Sequence, residues 1–181
     1  IGCSTFPVWN SVPAIFANIM CGNPVIAKPH PSAILPIAIV VSEIQNALNA
    51  ARISRKVVQL AIDTSNNPIT KKLAENANIK VIDYTGGNEF GNYIESLKGK
   101  TIFTEKSAIN SVILDSVNEL PAVIDNLAFA AVLYSGQMCT SPQNIFISEK
   151  GVKTKERVVG YSEVIEMFLQ SVKQIIENPK I

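Results

Sequence analysis

The chain predicts an α/β protein built on a parallel, doubly wound sheet with flanking helices. Two observations carry this. Short runs rich in β-branched residues alternate with longer runs of helical spacing from Pro24 to the last residues. Hydrophobic residues make up 47% of the chain and charged residues only 17%, so most strands must be covered on both faces or meet a partner. With 181 residues, the chain can fill one good core or two small ones.

Each element has a local reason. Residues 24–28 form a short apolar strand, ended by Pro29-His30-Pro31. A helix follows over about 32–51, where Pro36 is tolerable only in the first turn. Residues 56–62 read as a strand, and 67–78 as a helix with Pro68 at its first position, where a missing N–H costs nothing. A strand over 80–84, a helix over 89–97 and a strand over 100–104 come next, the last delivering Glu105. Residues 111–115 are a β-branched strand, 120–134 a helix and 144–148 a strand. The final helix starts from Ser162 as N-cap and aligns Ile165, Phe168, Leu169, Val172 and Ile176 on one face. This alternation argues for βαβ units. Residues 104–110 carry little secondary-structure signal and mark a junction, which divides the chain into 1–105 and 106–181.

Composition excludes several classes. Net charge is +1, with no basic block, which argues against a nucleic-acid partner. The richest apolar stretches, 12–22 and 33–41, are interrupted by Asn18 and Pro36, so no membrane span is expected. Cys3, Cys21 and Cys139 are odd in number and lack metal spacing, which suits a reducing cytoplasm and no bound metal. Ile1 opens directly into an apolar run without a signal-peptide arrangement. It reads as an interior point of a longer protein, and the ending Asn178-Pro179-Lys180-Ile181 is equally abrupt. Unpaired apolar strands at a sheet edge would be covered by self-association, so a homo-oligomer is expected.

The chemistry-bearing residues are ordinary one by one. Gly136-Gln137-Met138-Cys139-Thr140 places a thiol in a small polar loop between a helix and a strand, and most cysteines are small buried hydrophobes. Glu105 beside Lys106 reads as solvated surface, Asn10 as a turn or cap, and Trp9 as core. Together, however, Cys139, Glu105 and Asn10 supply a nucleophile, a base and an oxyanion donor for acyl chemistry, and they are expected to converge on one cleft. Tyr84-Thr85-Gly86-Gly87-Asn88-Glu89-Phe90-Gly91 is a strand, a glycine turn and a helix start. It is either a tight βα turn capped by Asn88 or a seat for a ligand phosphate. Lys28, at a strand's carboxyl end, is a solvated lysine or a donor to ribose hydroxyls. His30, the single histidine, is a loop-packing residue unless it activates Cys139 in a Cys–His hydrolase.

Taken in order, these segments resemble the aldehyde dehydrogenase superfamily. Phe6-Pro7-Val8-Trp9-Asn10 is similar to its Pro-Trp-Asn segment, and Gly22-Asn23-Pro24-Val25-Ile26-Ala27-Lys28-Pro29 to its Gly-Asn…Lys-Pro strand. Residues 84–91 are similar to its Thr-Gly-Ser-x-x-x-Gly turn, and Thr104-Glu105-Lys106-Ser107-Ala108 to its Glu-Leu-Gly-Gly segment. Gly136-Gln137-Met138-Cys139 fits its Gly-Gln-x-Cys signature. Within the superfamily, residues 5–10, 28–31, 84–87 and 138–144 most resemble the phenylacetic acid degradation (PaaN) branch.

The resemblance implies a partial Rossmann-like nucleotide domain over 1–105 and the start of a catalytic domain over 106–181. Cys139 is then the nucleophile, Glu105 the base and Asn10 an oxyanion donor. Lys28, Gly86, Gly87, Phe6 and Trp9 line the site of NAD or NADP, and the substrate is an aldehyde. Val8 departs from the first proline of Pro-Trp-Asn, Gly87 replaces a serine, and Pro31 stands where many NAD-specific relatives carry a glutamate. The runner-up readings are a truncated domain without turnover and the Cys–His hydrolase.

Overall fold

Parallel pairing organises the strands, as the alternation predicts. A computed structural model describes residues 1–178; Pro179, Lys180 and Ile181 of the C-terminal tetrapeptide lie outside the described residues. The elements run α1 (Pro7–Met20), β1 (Val25–Ala27), α2 (Ile34–Ala50), β2 (Val58–Leu60), α3 (Thr70–Glu75), β3 (Val81–Gly86), α4 (Asn88–Glu95) and β4 (Thr101–Lys106). They continue with β5 (Ser111–Leu114), α5 (Leu120–Val132), β6 (Asn144–Ile147), β7 (Val152–Lys153), β8 (Val158–Val159) and α6 (Tyr161–Ile176). The chain separates into two compact units, Ile1–Ser107 and Ala108–Ile181.

In the first unit β1 pairs in parallel with β2, Val25 opposite Val58. Strand β3 pairs in parallel with β4, from Val81 opposite Thr101 to Gly86 opposite Lys106. Ile1 and Gly2 stitch the two pairs together. The Gly2 N–H donates to the Lys28 carbonyl (3.1 Å), and the Thr85 N–H donates to the Ile1 carbonyl (3.0 Å). The Ile1 amino group donates to the Asp83 carbonyl at 2.7 Å. The spatial order is therefore β2, β1, residues 1–2, β3, β4, an order that reverses direction at Ile1 as a doubly wound sheet does. Ile15, Ala27, Ile37, Val41 and Val58 form one buried cluster, and Ala74, Ile82, Tyr84 and Ile94 another. Burying each isoleucine or valine of these clusters is worth about 1.5–3 kcal/mol.

In the second unit β5 pairs in parallel with β6, and β7 pairs antiparallel with β8. Leu114, Leu120, Ile124, Val152, Val159 and Val164 close a core beneath α5 and α6. Gly151, before β7, has φ +91°, and a Cβ there would lie 2.1 Å from the Val159 carbonyl oxygen. Only glycine fits that corner.

Several predicted boundaries move. No element was predicted over α1, because Pro7 and Pro13 punctuate the run; Pro7 instead serves in the first turn, and Pro13 is carried inside the helix. The helix predicted over 67–78 shrinks to Thr70–Glu75, which leaves Pro68 outside it. Its entrance is held by the Asp63 carboxylate, which accepts from the Ile69 N–H (3.0 Å) and the Thr70 hydroxyl (3.4 Å). The strand predicted over 56–62 gives its first residues to a 3₁₀ turn, Arg55–Val57.

Gly160, not Ser162, caps α6. The buried stripe of that helix runs through Val164 and Ser171, with Met167 and Phe168 partly covered, whereas the predicted Leu169 and Ile176 are exposed. The reason is polar: the Ser171 hydroxyl donates to the Asp125 carboxylate of α5 at 2.8 Å, which turns that side of the helix inward.

Candidate active site

The register of β3 and β4 builds the first cleft. Alternation along β4 leaves Phe103 and Glu105 exposed while Ile102, Thr104 and Lys106 are partly covered. Glu105 thus lies in the strand itself, opposite Thr85, one residue beyond the predicted strand end. A cleft of about 290 Å³ at this end gathers Trp9 and Asn10 from α1, Asp83 and Thr85 from β3, and Phe103 and Glu105 from β4. Three sequence-predicted residues, Trp9, Asn10 and Glu105, therefore share one cleft of the first unit. Trp9 is 75% exposed, so its ring is a surface and not core. The Asn10 amide donates to the Cys3 sulfur at 2.8 Å, which orients it. Phe6 is the half-covered residue that caps α1.

The charges in this cleft are coupled. Burial pushes the Asp83 carboxyl above its usual range; the Ile1 ammonium opposes this, and the Glu105 carboxylate adds to it. Burial likewise pushes the Ile1 ammonium below its usual value, against the attraction of Asp83. Next to Glu105, the Lys106 amine binds Glu95 at 2.7 Å and Asn92 at 2.8 Å, both on α4. Its aliphatic stem crosses Gly91, where a Cβ would lie 2.5 Å from the Lys106 Cδ.

The glycine turn after β3 has two different glycines. A Cβ on Gly86 would lie 2.4 Å from the Tyr84 Oη, whose hydroxyl donates to the Gly87 carbonyl at 3.0 Å. Gly86 is thus required by packing. Gly87 occupies the cap position of α4, with Asn88 as the first helical residue, and a Cβ there would meet nothing within 4 Å. The predicted Asn88 cap is corrected accordingly. Open space over Gly87 and the unpaired first N–H groups of an eight-residue helix fit a phosphate, although Glu89 places a like charge in the first turn.

Lys28 is not a solvated lysine. Its amine lies 2.6 Å from the Asp63 Oδ1, and the two side chains are 6% and 1% exposed. The Asp63 Oδ2 takes the Ile69 N–H and Thr70 hydroxyl, so the carboxylate is held on both oxygens. Burial pushes the Asp63 carboxyl upward, but the Lys28 ammonium and the two neutral donors outweigh it and leave the carboxyl below its usual value. His30 is exposed, and its Nδ1 accepts from the Ser32 N–H at 3.1 Å, a loop role. Among the described residues no cluster of His, Cys, Asp and Glu could hold a metal ion, and no helix is long and apolar enough to cross a membrane.

In the second unit Cys139 is exposed, which removes the buried-hydrophobe reading. The predicted helix over 120–134 ends at Val132, and Tyr134, Ser135 and Gly136 follow at φ 52°, 58° and 71°. Two non-glycine residues in the left-handed region cost about 1–3 kcal/mol each, strain stored immediately before the thiol. Asn110, which sequence reasoning passed over, secures the loop. Its amide donates to the carbonyls of Cys139 and Ser141, the latter at 3.1 Å. The Asn110 main-chain carbonyl accepts from the N–H groups of Gln143 (2.9 Å) and Asn144 (3.2 Å). The only signal in the sequence was an asparagine at the entrance to a β-branched strand, a common turn residue.

The chain belongs to the aldehyde dehydrogenase family, whose sequence profile matches residues 5–174. Over 99% of its length it superposes with a TM-score of 0.86 and 39% identity on 32% of an NAD-dependent aldehyde dehydrogenase from Burkholderia multivorans. It is 27% identical over 94% of its length to aldehyde dehydrogenase family 7 member B4 of Arabidopsis thaliana, covering 32% of that protein. It is 28% identical over 85% of its length to the lactaldehyde dehydrogenase of Methanococcus maripaludis, covering 33% of it. The chain thus spans about a third of the length of these relatives.

Proposed function

We propose that the chain is the core segment of an NAD- or NADP-dependent aldehyde dehydrogenase that oxidises an aldehyde to a carboxylic acid through a Cys139 thioester. The observation that carries this reading is an exposed Cys139 held in a strained loop stapled by Asn110, in a chain of this family. Residues 1–105 are read as part of the nucleotide-binding domain and 106–181 as part of the catalytic domain. The Cys139 thiolate attacks the aldehyde carbon, and the Asn10 amide with the Cys139 backbone N–H donates to the oxyanion. The bound nicotinamide supplies the hydride acceptor. Glu105 then takes a proton from the water that hydrolyses the thioester. Gly86, Gly87 and the start of α4 face the pyrophosphate, and Phe6 and Trp9 border the nucleotide; Lys28, assigned to the adenosine ribose, would have to leave its buried pair with Asp63 to reach it.

The finer assignment is to the phenylacetic acid degradation (PaaN) branch, acting on an aldehyde of aromatic catabolism in the cytoplasm as a homo-oligomer. It is supported by residues 5–10, 28–31, 84–87 and 138–144. The chain's span, about a third of its relatives, favours a second reading for residues 1–181 in isolation: weak dinucleotide binding and no turnover.

The test uses the full-length enzyme. Cys139→Ala should abolish oxidation. Glu105→Gln should retain a pre-steady-state burst of reduced cofactor followed by a slow phase, because acylation then outpaces deacylation. An unchanged steady-state rate in Glu105→Gln removes Glu105 from the mechanism.

A further inference from the structure

Lys28 and Asp63 follow the carboxyl ends of two neighbouring parallel strands. Ala27, the last residue of β1, pairs with Leu60, the last of β2, and the Ala61 N–H extends the ladder to the Ala27 carbonyl at 2.9 Å. Lys28 comes next on one strand, and Asp63 two residues after Ala61 on the other. In an open parallel sheet this is the end where ligands bind. A lysine that meets a ligand there should stand in water before the ligand arrives. Lys28 is instead buried, with its amine 2.6 Å from the Asp63 Oδ1.

Each partner keeps the other in place. Among the described residues the Asp63 Oδ1 is buried with no hydrogen-bond partner besides this ion pair. Oδ2 is fixed at the entrance of α3 by the Ile69 N–H and the Thr70 hydroxyl. Drawing Lys28 out would strand a buried carboxylate, which costs more than one hydrogen bond to a ribose hydroxyl returns. We propose that Asp63 withholds Lys28 from the adenosine ribose, so that the charge at position 63 sets how the site responds to a 2′-phosphate. The inference rests on the reading of residues 1–105 as part of the nucleotide-binding domain, and departs from it by leaving Lys28 with Asp63 when the nucleotide is bound. The pair offers the ribose no net charge, and Pro31 adds none. Asp63 is thus a positioning residue that acts through Lys28.

The substitution Asp63→Asn exposes the device. Only one side-chain oxygen remains, and the Ile69 N–H and Thr70 hydroxyl both require it. The amide nitrogen is then turned toward the Lys28 amine, donor against donor. An unpaired ammonium does not stay buried, and the flexible lysine stem carries it to water at the strand end. There it attracts a 2′-phosphate strongly and gives a ribose hydroxyl no more than an ordinary hydrogen bond.

The experiment uses the full-length enzyme without aldehyde, so that nothing turns over, and measures Kd for NAD and for NADP by titration calorimetry. In Asp63→Asn the affinity for NADP relative to NAD should rise by at least about tenfold, the effect of one ammonium–phosphate contact in a partly wetted site. In the neutral double variant, Lys28→Met with Asp63→Asn, the ratio should return to within about threefold of wild type. An unmoved ratio in Asp63→Asn, or a rise that persists without Lys28, overturns the proposal. A wild-type measurement needs no variant to fold. Acetylation of the Lys28 amine, followed by mass spectrometry, should run at least about tenfold slower than at the exposed Lys98, with or without NADP. Equal rates at the two lysines overturn the proposal. Wild-type enzyme that binds neither nucleotide overturns the nucleotide-domain reading along with it, whereas binding of both with an unmoved ratio removes this inference alone.

Discussion

Replacing Lys28 by methionine leaves the Asp63 carboxylate inside the first unit without its cation. The pair is 2.6 Å apart with side chains 6% and 1% exposed, so solvent cannot take over the lost contact. Breaking a buried pair from one side costs about 3–5 kcal/mol. The Ile69 N–H and Thr70 hydroxyl still hold the Asp63 Oδ2, which favours the lower figure. With a urea m-value of about 2 kcal/mol/M for a unit of this size, the midpoint should fall by about 1.5 M. The double variant Lys28→Met with Asp63→Asn removes both charges and should recover more than half of the loss.

The pH dependence has a definite sign. Asp63 sits below its usual carboxyl value in the folded chain, so the pair contributes its full stability above the unfolded value, near pH 4. That contribution is lost as pH falls through the lowered folded value, and the gap between wild type and Lys28→Met must narrow there. Urea unfolding by circular dichroism, with amide exchange at β1 to assign the transition, measures all of this. A cost below about 1 kcal/mol at pH 7, or single losses that simply add in the double variant, would refute the reasoning.

Three further outcomes are expected. Asn110→Ala strips two donors from the Cys139 and Ser141 carbonyls; it should cost about 1–2 kcal/mol and change the rate of Cys139 labelling by a thiol reagent, and an unchanged rate would deny Asn110 a positioning role. Gly151→Ala combines a positive φ with a Cβ 2.1 Å from a carbonyl oxygen, so the second unit should lose about 2–5 kcal/mol, read as a lowered Tm with α6 amides exposed to exchange. In the full-length enzyme Pro31 can neither accept from a ribose hydroxyl nor repel a 2′-phosphate; kcat/KM for NADP should lie within about tenfold of that for NAD, and a larger preference for NAD would contradict this.

How much of this was legible in the sequence depends on what each feature rests on. Strand–helix alternation is a period, and β1 to β6 with most helices between them follow from it. The start of α6 and its buried face do not, because a serine hydroxyl reaching Asp125 decides between two nearly equivalent apolar stripes. Helix α1 was hidden by Pro7 and Pro13, whose cost is set by tertiary burial that no local pattern contains. The cleft residues Trp9, Asn10 and Glu105 were legible through motif order. Asp63 and Asn110 were not, since each acts through long-range contacts made by an unremarkable side chain: Asp63 to Lys28, Asn110 to the carbonyls of Cys139 and Ser141.

Glu105 and Lys106 show what parity means for an exposed carboxylate. Neighbours in a strand face opposite ways, so whichever of the two is anchored dictates where the other goes. Lys106 is gripped by Glu95 and Asn92, and its stem lies across the bare backbone of Gly91. Sliding β4 by one residue would present Glu105 to Glu95, acid against acid, and swing the lysine out into the cleft. A clamp on one side of the strand thus aims the acid on the other. Enlarging Gly91 would therefore push on the Lys106 stem, on the face of the strand opposite Glu105.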